Sequence, residues 1–187
     1  MQDERQSRIA AALSNIEKLA RACCTQPDYF NMRANVGSVL IGVAFDVHHH
    51  DVRTIVGASG KNLAQFAFLL RRMLEGTGME ADIEDVKGVG NDSGRYDKSA
   101  PNKNWPKNNL VKLLADVAKA CYPEQRTAVE TKEGADRTRL NVLFEREPEF
   151  KHDFARAVAL LYLPIGKCCG HRITVDVKVV NTNELER

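Results

Sequence analysis

Residues 53–66 read Arg53-Thr54-Ile55-Val56-Gly57-Ala58-Ser59-Gly60-Lys61-Asn62-Leu63-Ala64-Gln65-Phe66. Two glycines three apart separate two apolar stretches of helical spacing. A Gly-x-x-Gly turn lets the backbone come close to a bulky anion, because glycine has no Cβ in the way and tolerates unusual φ. The following helix begins near Gly60, so its unpaired N–H groups and the positive end of its dipole face the same place. Arg53 and Lys61 add mobile positive charge, and residues 52–74 hold Arg53, Lys61, Arg71 and Arg72 with no acid. A phosphodiester is the occupant that such a turn fits.

Outward from the turn, the apolar run 39–45 reads as a strand, and Leu63, Phe66, Ala67, Leu70 and Met73 recur at helical spacing up to Gly78. Upstream, Ile9, Leu13, Ile16, Leu19, Ala20 and Cys23 mark an amphipathic helix that Pro27 ends, followed by an alternating strand over 29–35. Downstream, Met79, Ala81 and Ile83 alternate with Glu80, Asp82 and Glu84 as a closing strand. The order is helix, strand, strand, helix, helix, strand.

That order recurs in the rest of the chain. Leu19-Ala20-Arg21-Ala22-Cys23 aligns with Val117-Ala118-Lys119-Ala120-Cys121 at an offset of 98, each ending a helix before Pro27 or Pro123. A short stretch over 127–131, the apolar run 140–144, a helical pattern through Phe154, Val158 and Leu161 at an offset of 92, and the alternation of Ile173, Val175, Val177 and Val179 complete the copy. One apolar face per strand implies a sheet covered by helices on one side. The expected fold class is α+β: two tandem αββααβ units, each a three-stranded sheet with helices packed on one face. Their bounds are 1–87 and 107–187, joined by a polar linker over 88–106 rich in glycine, asparagine and proline.

The run Ile55-Val56-Gly57-x-x-Gly60-Lys61-Asn62-Leu63 resembles the Ile-Ile-Gly-x-x-Gly-Lys-Asn-Ile signature of the K-homology (KH) family of single-stranded nucleic-acid binders, and the element order resembles the family's type II arrangement. The resemblance implies a groove for about four nucleotides, with their backbone against the Gly-x-x-Gly loop and their bases against an apolar wall. It makes Gly57, Ala58, Ser59 and Gly60 the clamp and Arg53 and Lys61 the phosphate contacts. Asn62 belongs to the same motif, Ile55, Val56 and Leu63 form the groove wall or adjoining core, and the strand around Ile83 reads base edges. The match covers 5–87 by motif and 107–181 by topology only. Two departures stand out. Ala58-Ser59 is neutral where binding members carry a basic residue, which implies modest, micromolar affinity. In place of a second clamp, residues 145–153 read Glu-Arg-Glu-Pro-Glu-Phe-Lys-His-Asp, so the second unit is expected to be degenerate.

Other features carry less. Lysine and arginine total 27 against 25 acids, so net charge alone announces no partner. No apolar run approaches the length of a membrane span, and the charged start reads as no signal peptide, so a cytoplasmic protein is expected. The five cysteines, Cys23, Cys24, Cys121, Cys168 and Cys169, lack metal spacing and fit small buried residues in a reducing compartment. His48-His49-His50 needs a sharp turn to converge on one ion, so no metal is expected; His50 is an accessory RNA contact, and Asp51 is placed to cap the next helix. In the linker, Arg95, Lys98, Lys103 and Trp105 offer further accessory contacts. Gly88-Val89-Gly90 lacks the third glycine of a dinucleotide turn, and Gly166-Lys167-Cys168-Cys169-Gly170 lacks the Walker spacing and reads as a helix-ending turn, so no cofactor is expected.

No nucleophile with its base stands out, and the expected protein is non-catalytic. The expected partner is single-stranded RNA, with mRNA and post-transcriptional regulation as candidates and single-stranded DNA left open. The second unit is available for a protein partner or a second copy. The alternative is a protein-interaction scaffold of degenerate KH-like units that has lost nucleic-acid binding.

Overall fold

The computed structural model describes residues 2–90 and 107–181. Helix α1 (Gln2–Ala22) buries Ala12, Ile16, Leu19 and Ala20, the three- and four-residue stripe of its sequence. A single 3-10 turn (Pro27–Tyr29) then leads into β1 (Asn31–Val36), which pairs antiparallel with β2 (Leu40–His48). The tight connection is closed by Gly37 N–H donating to Leu40 O at 2.9 Å. A crossover through α2 (Val52–Val56) and α3 (Lys61–Leu74) brings β3 (Glu80–Val89) parallel to β2 on its other side. Parallel neighbours require such a crossover.

The second half repeats the plan with α4 (Lys107–Cys121), β4 (Thr127–Glu133), β5 (Arg137–Phe144), α5 (Lys151–Cys168) and β6 (Arg172–Val179). Its sheet has the order β4-β5-β6, with β4 antiparallel and β6 parallel to the central strand, as β1 and β3 are to β2. The chain is therefore α+β with two three-stranded mixed sheets. The second half departs from the expected αββααβ order, because only α5 lies between β5 and β6. Residues 145–150 are too few for an extra helix and a turn, and Pro148 removes a backbone donor. In the first half, β3 continues to Val89, past the boundary at 87 that composition suggested.

In β2, Ile41, Val43, Phe45 and Val47 are fully buried, and in β3 Ala81 and Ile83 point inward while Glu80, Asp82 and Glu84 stay exposed. Phe45 meets Phe66 of α3 edge-on, with ring centroids 5.7 Å apart. α1 and α3 pack in turn on α4 and α5, so the helices of both halves lie between the two sheets and their buried apolar residues form one continuous core. Among the described residues no helix is long and apolar enough to cross a membrane.

The helix layer has an approximate two-fold relation. Cys23 Sγ donates weakly to Leu161 O at 3.6 Å, and Cys121 Sγ donates to Leu69 O at 3.9 Å. Cys23 and Cys121 are one equivalent pair by the offset of 98, and Leu69 and Leu161 another by the offset of 92. Each half thus gives the other the same contact, which is what a self-complementary interface requires. Burial pushes the thiols of Cys23, Cys24 and Cys121 up, so these side chains act as small apolar residues. Across the same seam the Arg72 guanidinium lies over the rings of Tyr122 and Phe150, 5.1 Å from each centroid.

Candidate nucleic-acid interface

The Gly-x-x-Gly turn is held from below by a buried carboxylate. Asp51 has no side-chain capping bond to α2; its Oδ1 accepts from Thr25 N–H at 3.0 Å and Thr25 Oγ1 at 2.7 Å, and its Oδ2 accepts from Gln26 N–H at 3.0 Å. The expected cap is therefore replaced by a clasp between the start of α2 and the loop after α1.

α2 ends where Gly57 N–H donates to Arg53 O at 2.9 Å. Gly57 adopts φ 74° and ψ 173°, a region open to glycine alone, and a Cβ there would lie 2.7 Å from both Asn62 Cγ and Asn62 N. Asn62 Nδ2 donates to Thr54 O at 2.7 Å, pairing a carbonyl that the end of α2 leaves without an intrahelical partner. Gly57 and Asn62 therefore fasten α2 to α3. Ser59 (φ 53°) and Gly60 (φ 76°) continue the turn in left-handed conformations. Ser59 bears the cost without being glycine, and such strain concentrates at binding sites. A Cβ on Gly60 would meet nothing within 4 Å, so that glycine opens onto free space at the start of α3.

Ala58, Ser59, Arg53 and Lys61 are exposed around this opening, while Gly57, Asn62, Val56 and Leu63 are half-buried. Ile55 and Ile83 are core residues, at 0% and 7% exposure, so they support the site from behind and their side chains do not form its surface. The basic surface read over 52–74 is smaller than its sequence suggests. Arg71 pairs with Asp82 at 3.0 Å, and Arg72 pairs with Glu75 beneath the second half. His50 sits in the turn before α2. Arg95, Lys98, Lys103 and Trp105 lie outside the described residues.

One contributor was invisible in the sequence. A cavity of about 410 Å³ beside the turn is lined by Thr25, Thr54 and Asn62 on one side and by Leu160, Leu163, Pro164, Lys167 and Cys168 of α5 on the other. Lys167, in the other half of the chain, therefore shares a cavity with Thr54 and Asn62, which flank the turn. The two-fold relation supplies an internal comparison. A second cavity, of about 520 Å³, is lined by Arg72, Glu75, Gly76 and Pro123, which correspond by the same offsets to Pro164, Lys167, Cys168 and Thr25. There Glu75 stands where the first cavity has Lys167, Glu149 corresponds to Gly57 by the offset of 92, and Arg8, Arg72 and Arg146 share the lining with Glu75, Glu124, Glu147 and Glu149. The first cavity carries one lysine and no acid, whereas its counterpart is of mixed charge.

Scans of the chain against protein-family models and against curated proteins find no match.

Proposed function

We propose that the protein binds single-stranded RNA through the turn Gly57-Ala58-Ser59-Gly60, as a non-catalytic factor whose first half is a type II KH-like unit. The observation that carries this reading is the turn itself: left-handed backbone at Ser59 and Gly60, with Gly60 opening onto free space at the head of α3. Consecutive N–H groups in such turns favour anions, and a phosphate can approach without meeting a side chain. Arg53, Lys61 and Lys167 supply the surrounding charge.

The stretch 145–153, which has no Gly-x-x-Gly turn, supports a single clamp per chain, with the second half acting as the clamp's scaffold and the donor of Lys167. Cytoplasmic mRNA, under post-transcriptional control, is the substrate class this reading fits. A protein-interaction role is the second reading. It is favoured by Val36, Val39 and Leu40, three apolar side chains exposed together around the β1–β2 turn.

The test is titration of fluorescently labelled single-stranded RNA with the full chain at several salt concentrations. Micromolar binding is expected, weakening with salt at a log–log slope of about 0.7 per neutralised phosphate. Arg53→Glu with Lys61→Glu should abolish it. Absence of binding by the wild type at low salt would overturn the RNA reading and leave the protein-interaction one.

A further inference from the structure

The chain turns sharply where β2 ends. His49 N–H donates to Val89 O at 3.2 Å, and Asp51 N–H donates to His48 O at 2.7 Å, which folds three successive residues back on themselves. Consecutive side chains in a strand point to opposite faces, so His48, His49 and His50 would diverge if β2 continued. Here the turn gathers them. Their ring centroids lie 4.3 Å apart for His48 and His49, 4.0 Å for His49 and His50, and 5.1 Å for His48 and His50. One nitrogen from each ring can be chosen so that all three lie within 4.8 Å of one another.

The surroundings are shaped around these rings. His48 is 7% exposed and leans on the Tyr29 ring at 4.9 Å, which fixes its plane. A Cβ on Gly88 would come within 3.3 Å of His49 Cα and Cβ, and one on Gly90 within 3.0 Å of His48 Cδ2. The Gly88-Val89-Gly90 motif, which fits no dinucleotide turn, thereby has a physical reason: a side chain at 88 would press on the His49 Cα and Cβ and on Val52, and one at 90 on the His48 ring.

We propose that His48, His49 and His50 form a binding site for one divalent transition-metal ion of the zinc, cobalt, nickel or copper class. Imidazole nitrogen is a preferred donor for these ions. Three nitrogens at about 2.1 Å from a tetrahedral ion stand about 3.4 Å apart. The gathered rings must therefore close by at most about 1.4 Å from their 4.8 Å limit, which side-chain rotation supplies without unfolding the turn. Asp51 is engaged with Thr25 and Gln26, so the carboxylate nearest in sequence is not the fourth ligand. The fourth position is left for water or an exogenous anion. This site is independent of the clamp at Gly57–Gly60 and stands or falls separately from it.

The experiment uses the full chain, free of any affinity tag and stripped with a chelator. Zinc chloride is titrated calorimetrically and cobalt chloride by visible absorption. One ion per chain is expected. His49→Ala and His50→Ala should each weaken binding at least tenfold while leaving the metal-free melting temperature unchanged, and Cys169→Ser should leave binding unaltered. His48 is buried, so its own replacement is read only alongside these two. X-ray absorption at the zinc edge should show nitrogen scatterers of imidazole type and no sulfur. Failure of the wild type to bind at a stoichiometry of one, binding that survives the His49→Ala/His50→Ala double variant, or a sulfur shell would each overturn the proposal.

Discussion

The two glycines of the clamp look interchangeable in the sequence and occupy different physical situations. At Gly57, alanine would have to adopt φ 74° and ψ 173° and place its Cβ 2.7 Å from the backbone and side chain of Asn62. Backbone strain of that kind costs about 1–3 kcal/mol, and the overpacking adds a comparable amount. Gly57→Ala should therefore destabilise the fold by about 3–5 kcal/mol. At Gly60 the conformation is ordinary left-handed helix with open space beyond it, so Gly60→Ala should cost about 1–2 kcal/mol. Gly60→Asn should cost less still, since asparagine tolerates that region. Urea denaturation followed by circular dichroism measures both, with unchanged m-values showing that only stability has moved. RNA affinity should follow the opposite order to stability: in the well-folded Gly60→Ala protein, the new methyl group stands where a phosphate would approach. Equal costs at the two positions, or a larger one at Gly60, would refute the division into a fastening glycine and an opening one.

Four further outcomes follow from the packing. Lys167→Glu should weaken RNA binding and lower the salt slope by about 0.7, with no change in circular dichroism, if α5 contributes a phosphate contact. Arg72→Ala removes a cation shared between Tyr122 and Phe150 and should lower urea-derived stability by about 1–2 kcal/mol. Burial raises every thiol, the Cys168 thiol to about 12, so the folded state holds its thiol protons when the unfolded chain has begun to release them. Stability should accordingly be level up to the ordinary thiol value and fall as pH rises beyond about 9. A thiol reagent at pH 8 should modify half-buried Cys169 before the other four cysteines.

Local pattern made much of this fold legible. The two-residue alternation of Ala81 and Ile83 against Glu80, Asp82 and Glu84 fixed which face of β3 is buried, and the repeat at Cys23 and Cys121 placed matching helix ends. The same alternation sets Ile83 inside, away from the surface role that family resemblance implies for it. The back-to-back packing was harder to read. It requires α3 to bury a second face, and the relevant signal is the breadth of its apolar surface: Leu69 and Leu74 are buried along with Phe66, Leu70 and Met73, more than one sheet can cover. Lys167 gave no signal, because its place beside the clamp depends on the contact between halves. Asp51 pairs with Thr25 and Gln26, partners far along the chain, where a local reading saw only a helix cap. At His48-His49-His50 the sequence reading made convergence conditional on a sharp turn, and the Asp51–His48 and His49–Val89 backbone bonds supply one, a feature no residue spacing displays.

The clamp itself is tested most directly by fluorescence anisotropy of labelled single-stranded RNA with the wild type and with Ala58→Asp plus Ser59→Asp, at low and at physiological salt. Both positions are exposed, so the two carboxylates should leave the melting temperature unchanged while repelling phosphate from the turn. The account predicts salt-sensitive binding by the wild type and none by the folded double variant. Equal binding by both proteins would contradict it.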